Sequence, residues 1–163
     1  WKQFVELNSA RYSGTKKRVI GMSCDKDGYV YLYTTETYGG YVEIQKTTVE
    51  SGTLIDIVSP IDSNTKWNGA LTVDYYTGAL YLGAGTESQP KNSNIPCMWR
   101  SEDGGKTWVE LSVHLDENLN RVGNPITEVY PTGDVTRIVI NYQTNEVFTV
   151  FTNHGIWKIG RTR

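Results

Sequence analysis

Five carboxylates stand in long polar stretches of this 163-residue chain: Asp62, Glu87, Asp116, Glu117 and Asp134. Two carboxylates held on either side of a glycosidic bond can act as acid and base in its hydrolysis. Asp62, Asp116 and Asp134 are the candidates for such a pair. Acidic residues are common on solvated loops, and the spacing selects no pair among them. The same stretches carry Tyr12, Tyr38, Trp67 and Tyr130. An exposed aromatic ring can stack on a sugar, or it can simply pin its own loop. Tyr12, Tyr38 and Trp67, with Glu87 and Arg121 as polar partners, form the candidate ligand-binding set.

Other chemistries lack their residues. His114 and His154 have no metal-ligand spacing. Asp25-Lys-Asp27-Gly28 opens like a calcium loop but lacks the later acidic ligand, so it reads as a turn. No Gly-x-Ser-x-Gly and no Walker-type loop occurs. Neither a metal nor a cofactor is expected.

Composition narrows the class. The 16 Lys+Arg against 18 Asp+Glu make no electrostatic case for nucleic acid or an anionic membrane. No apolar run approaches the ~20 residues that span a bilayer, so membrane insertion is not expected. The 11 Tyr and 5 Trp, with abundant Thr and Val, favour an all-β chain. Cys24 and Cys97 can pair or stay reduced, and two cysteines set no framework. The chain begins at Trp1, so it is read as processed, excised or incompletely represented.

The strands that must position these residues recur. Residues 19–33, 70–83 and 137–150 each read as an apolar strand, a polar turn and a second strand. Gly28, Gly78 and Asn145 share one turn position, 50 and 67 residues apart, and all three types tolerate the left-handed conformation. Tyr31, Tyr81 and Phe148 follow three residues later. Third strands follow at 41–46, 97–100 and 155–159, where Trp99 matches Trp157. Fourth strands follow at 53–58 and 108–112. Four-stranded units of this length are propeller blades.

One turn carries a motif. Ser101-Glu-Asp103-Gly104-Gly105-Lys106-Thr107-Trp108 lies between the third and fourth strands of the middle copy. Asp103 can accept turn N–H groups, Gly104 and Gly105 can take positive φ, and Trp108 adds a large apolar body. The pattern Ser-x-Asp-x-Gly-x-x-Trp resembles the Asp-box, or BNR repeat, of sialidases, xyloglucanases and sortilin-like propellers, with Ser101, Asp103, Gly105 and Trp108 at its defining positions. In those families the box is a structural turn away from the ligand. The resemblance therefore puts function on the opposite rim, at the loops from strand two to three and from each blade into the next. All the candidate residues above lie there. The sialidase start, Phe/Tyr-Arg-Ile-Pro, is absent, and Arg11, Arg121 and Arg137 lie in no motif that assigns them to a carboxylate-binding triad.

The ends complete the expectation. Phe4-Val-Glu-Leu-Asn8 matches Trp108-Val-Glu-Leu-Ser112, so residues 1–8 read as a fourth strand without its own blade. Blades then run over 18–58, over 69–113 with the Asp-box, and over 136–159 without a fourth strand. The expected fold is all-β: a β-propeller of four-stranded antiparallel blades, about three of them in this chain. Three blades are fewer than the usual four to eight. A second copy or another chain segment is expected to complete the ring. The function implied is recognition of carbohydrate, or of another extracellular or surface-associated partner, by the long-loop face. A glycoside hydrolase segment and a structural module of a surface or viral assembly are the alternatives.

Overall fold

The computed structural model describes residues 7, 17–36, 42–60, 69–84, 98–111, 135–151 and 155–160. Among them there are eleven strands and no helix. The first sheet holds β1 (Lys17–Cys24), β2 (Tyr29–Glu36), β3 (Val42–Thr48) and β4 (Ile55–Ile57) in that order. The second holds β5 (Gly69–Val73), β6 (Leu80–Ala84), β7 (Met98–Ser101) and β8 (Val109–Glu110). The third holds β9 (Val135–Asn141), β10 (Glu146–Phe151) and β11 (Gly155–Gly160). Every pairing is antiparallel between strands consecutive in the chain.

Side chains alternate across a strand, so each sheet offers two faces. The middle sheet buries both. Leu71, Val73, Leu80, Leu82 and Trp99 meet Tyr31, Tyr33, Val42, Ile44 and Ile57 of the first sheet. On the other face Ala70, Tyr81 and Met98 meet Val135, Ile138, Val147 and Phe151 of the third. The first strands of the sheets pack in series, β1 on β5 and β5 on β9. Burial on two sides explains why β5 and β6 read as nearly continuous apolar runs.

Close approach sets one composition rule. A Cβ on Gly83 of β6 would lie 2.3 Å from Val135 Cγ1. Hydrogen is the largest substituent that the contact between the second and third sheets admits there.

Of the expected fourth strand 53–58, only Ile55–Ile57 pairs, as β4. Of the expected 108–112, Val109–Glu110 pairs as β8, the Leu111 N–H reaches the Met98 carbonyl at 2.9 Å, and Ser112 lies outside the described residues. Short edge strands offer little template for unwanted pairing. In the third sheet β11 has no partner on its outer side among the described residues. The reading of residues 1–8 as a fourth strand lies outside the described residues except at Leu7, whose carbonyl accepts the Lys17 N–H at 3.1 Å.

The repeat is visible in the backbone. Gly28, Gly78 and Asn145 have φ of 84°, 73° and 56°. The copies share a second feature. Asp25 Oδ1 accepts the N–H groups of Asp27 and Tyr29. Asp74 Oδ1 accepts those of Tyr76 and Thr77, and Asn141 Oδ1 those of Gln143 and Thr144. Each strand-one to strand-two turn is thus built on a side-chain acceptor at its start.

Gly83→Ala should lower the stability of the chain by about 1–3 kcal/mol through overpacking against Val135. Urea unfolding at constant m-value is the measurement. An unchanged midpoint would mean that the second and third sheets do not meet as closely as described.

Candidate functional site

The 101–108 turn is held by a dense set of short hydrogen bonds. The Ser101 hydroxyl donates to Asp103 Oδ1 at 2.8 Å and accepts the Gly105 N–H at 2.8 Å. Asp103 Oδ1 also accepts the Lys106 and Thr107 N–H groups, each at 2.9 Å. Asp103 Oδ2 takes the Thr107 hydroxyl at 2.6 Å. Gly105, at φ of 90°, stands where a Cβ would meet Ile57 Cγ2 at 2.1 Å. Trp108 packs on the core between the first two sheets, and its indole N–H donates to the Val58 carbonyl at 2.7 Å. The turn therefore ties the middle sheet to the outer strand of the first.

This chemistry locks Asp103 rather than freeing it for proton transfer. The Thr107 hydroxyl, then the Thr107 N–H and the other donors, hold its carboxyl well below the usual carboxylate range. The burden of burial falls elsewhere than the sequence suggests. The buried donor of the turn, Gly105 N–H, goes to Ser101, whereas the Lys106 and Thr107 donors of Asp103 are exposed. In the corresponding turn of the first sheet Val49 stands where the Asp would be, and Thr48 supplies the side-chain acceptor. Its hydroxyl oxygen accepts the Ser51 N–H, and its carbonyl accepts the Gly52 N–H.

Other charged groups of the described residues are similarly engaged. Asp25 is buried, takes the Tyr31 hydroxyl at 3.0 Å, and accepts the N–H groups of its own turn. Burial, with the hydrogen bond to Asp25 next, pushes the Tyr31 phenol up. Lys46 lies over the Tyr29 ring, and Arg100 over Tyr81 and beside Glu102. Lys17 pairs with Glu43. Among the described residues no group of three His, Cys, Asp or Glu stands close enough to hold a metal ion.

Strand direction separates two rims. The turns at 25–28, 74–79 and 142–145 and the 101–108 turn gather at one end of the strands. The segments 37–41, 61–68, 85–97 and 112–134 join the opposite strand ends and lie outside the described residues. With them go Tyr38, Trp67, Glu87, Arg121, Asp62, Asp116 and Asp134, and Tyr12 near the start of the chain is outside as well. His114, His154 and Cys97 are also outside. Arg137, on β9, is exposed and pairs in register with Val150. Cys24 is an exposed free thiol at the end of β1.

The described rim also holds a group that sequence reading passed over. Tyr75 and Tyr76 of the second sheet's turn meet Tyr142 of the third sheet's turn. The missed signal was the position after the turn's acceptor, where Asp74 is followed by Tyr75 and Asn141 by Tyr142.

Ser101→Ala should cost about 1–3 kcal/mol, because the Gly105 N–H is buried and loses its acceptor. Asp103→Asn should act through pH. A folded carboxyl held below its unfolded value near ~3.9 stabilises the fold above that pH, and the contribution disappears as pH falls further. Wild type and Asp103→Asn should therefore differ most in urea midpoint at neutral pH, and the gap should narrow progressively as pH falls below about 4 towards the depressed folded value. A gap that persists undiminished in acid would show that the carboxylate charge is not what holds the turn.

No protein-family model matches the chain, and no curated protein matches it. Among solved structures, the GH74 xyloglucanase from Xanthomonas campestris matches with a TM-score of 0.59 at 21% identity. The match covers 92% of this chain and 21% of that one, so the chain spans about a fifth of that protein's length. At this identity the likeness bears on fold alone. With three antiparallel sheets stacked through their first strands, it makes the chain an open, all-β segment of a β-propeller, about three blades long.

Proposed function

We propose that this propeller segment recognises carbohydrate, or another extracellular or surface partner, through the rim opposite the 101–108 turn. The observation that carries the reading is the structural likeness to a xyloglucanase, a protein that acts on a glycan. The sequence supports it. Polar residues are concentrated in the segments that join the strands at that rim, and Tyr38 and Trp67 stand among them. Tyr38 and Trp67, with Tyr12, supply rings for the apolar face of a sugar. Glu87 and Arg121 supply acceptors and donors for its hydroxyls.

We read the 101–108 turn as an Asp-box whose work is structural. Its carboxylate is spent on the turn, which favours placing recognition elsewhere. A second copy or a further chain segment would cover the outer blades and complete the ring.

The same likeness favours a second reading, that the segment contributes to a glycoside hydrolase. Two of Asp62, Asp116 and Asp134 would then flank the scissile bond as acid and base. The third reading, a structural module of a surface or viral assembly, requires neither binding nor turnover.

A glycan array followed by an assay for reducing ends separates the three. Binding without release of reducing sugar supports recognition. Release supports the hydrolase, and neither outcome leaves the structural module. For a glycan that binds, Trp67→Ala should weaken affinity by about tenfold, ~1.4 kcal/mol, with an unchanged melting temperature. A collapse of the melting temperature would put Trp67 in the core and remove it from the site.

A further inference from the structure

The tight-turn rim carries an aromatic group that folding does not account for. Tyr75, Tyr76 and Tyr142 belong to neither core cluster. They are 43%, 62% and 41% exposed. Single exposed aromatics are ordinary on a protein surface, but three in mutual contact form a patch. The Tyr75 and Tyr76 ring centroids are 5.3 Å apart, and those of Tyr76 and Tyr142 are 5.2 Å apart. Both pairs are perpendicular, at 87°, so neither neighbour stacks flat on Tyr76.

The patch is held in place from below. Asp74 and Asn141 fix the two turns that present the rings. The Tyr75 N–H donates to the Tyr142 hydroxyl at 3.0 Å, across 67 residues of sequence. The Tyr75 carbonyl accepts the Lys26 N–H at 3.0 Å, tying in the turn of the first sheet. Three successive sheets thus share one bonded rim. Rings positioned by backbone bonds lose little freedom when a ligand arrives.

The polar surroundings choose the ligand. Lys26 and Asp27, in the adjoining turn, pair with each other at 3.5 Å and remain more than half exposed. Their charges balance locally, which selects no ionic ligand. They still offer a donor and an acceptor beside an apolar platform. A pyranose has this same combination, with an apolar C–H face and a fringe of hydroxyls. Three rings make a platform far smaller than the ~800 Å² per partner of a standard protein interface.

We propose that this rim is a second carbohydrate-binding site, centred on Tyr76, that takes the apolar face of a neutral glycan. It lies at the opposite end of the strands from the rim of the proposed function and does not depend on it. Tyr76, the most exposed of the three rings, is the main contact, Tyr75 and Tyr142 adjoin it at right angles, and Lys26 and Asp27 are the polar fringe.

Cellohexaose is the probe, with binding followed by saturation-transfer NMR and titration calorimetry on the 163-residue chain. Wild type should transfer saturation from tyrosine ring protons to the sugar. Tyr76→Ala should weaken affinity at least tenfold, Tyr76→Phe should hold it within about twofold, and Trp67→Ala should leave this site unchanged. Tyr76→Phe also guards against misfolding, because it keeps the ring and its packing. Absence of cellohexaose binding overturns the proposal, as does a titration in which Tyr76→Ala leaves both the number of bound cellohexaose molecules and their affinities unchanged. Binding that Trp67→Ala abolishes and Tyr76→Ala does not would assign the glycan to the long-loop rim and leave the tyrosines as turn supports. The converse pattern would remove the long-loop rim and keep this site.

Discussion

The burial of both faces of the middle sheet is the constraint on which the rest depends. A sheet with one wet face can alternate apolar and polar residues. A sheet packed on two sides cannot, and β5 and β6 fill both with Leu, Val, Ala and Tyr. The contact must also be close, which is why Gly83 stands opposite Val135. Once the middle sheet is covered on both sides, its neighbours are oriented by it. The three first strands pack in series, and the strand ends sort into two rims.

The rim turns use one physical device in several forms. A short side-chain acceptor at the start of the turn gathers the N–H groups that follow it. Asp25, Asp74 and Asn141 do this between first and second strands. Ser101 and Asp103 do it together between β7 and β8, and Thr48 and Ser51 do it between β3 and β4. Acceptors committed in this way have little capacity left for acid–base chemistry. Asp103 shows the limit, since its carboxylate receives four donors and is held firmly ionised. That division of labour favours a rigid rim of turns and a separate rim for variable segments.

Contacts between sheets are made at the turns as well as in the core. Val73 N–H reaches the Ser23 hydroxyl, Lys26 N–H reaches the Tyr75 carbonyl, and Trp108 reaches Val58. These bonds fix the sheets against sliding, which apolar packing alone resists weakly because it is non-directional. The tyrosine patch is a product of this stitching. Its rings meet because two turns far apart in sequence are bonded side by side.

Strand positions, the turn centres at Gly28, Gly78 and Asn145, and the 101–108 turn were legible in the sequence, because local backbone chemistry decides them. Positive φ needs Gly or Asn, and a turn acceptor needs a short polar side chain close by. The propeller architecture was legible for a related reason, as periodic repetition of such local units. The length of β4 was not, since pairing at a sheet edge depends on how the twisted neighbour lies. Nor was it legible that the buried turn donor belongs to Ser101 and the exposed ones to Asp103, because depth is set by the packing of Ile57 beneath Gly105. The meeting of Tyr75, Tyr76 and Tyr142 was decided by tertiary structure alone. Each is an ordinary turn residue in its own copy, and only the stacking of the second sheet on the third brings them within reach.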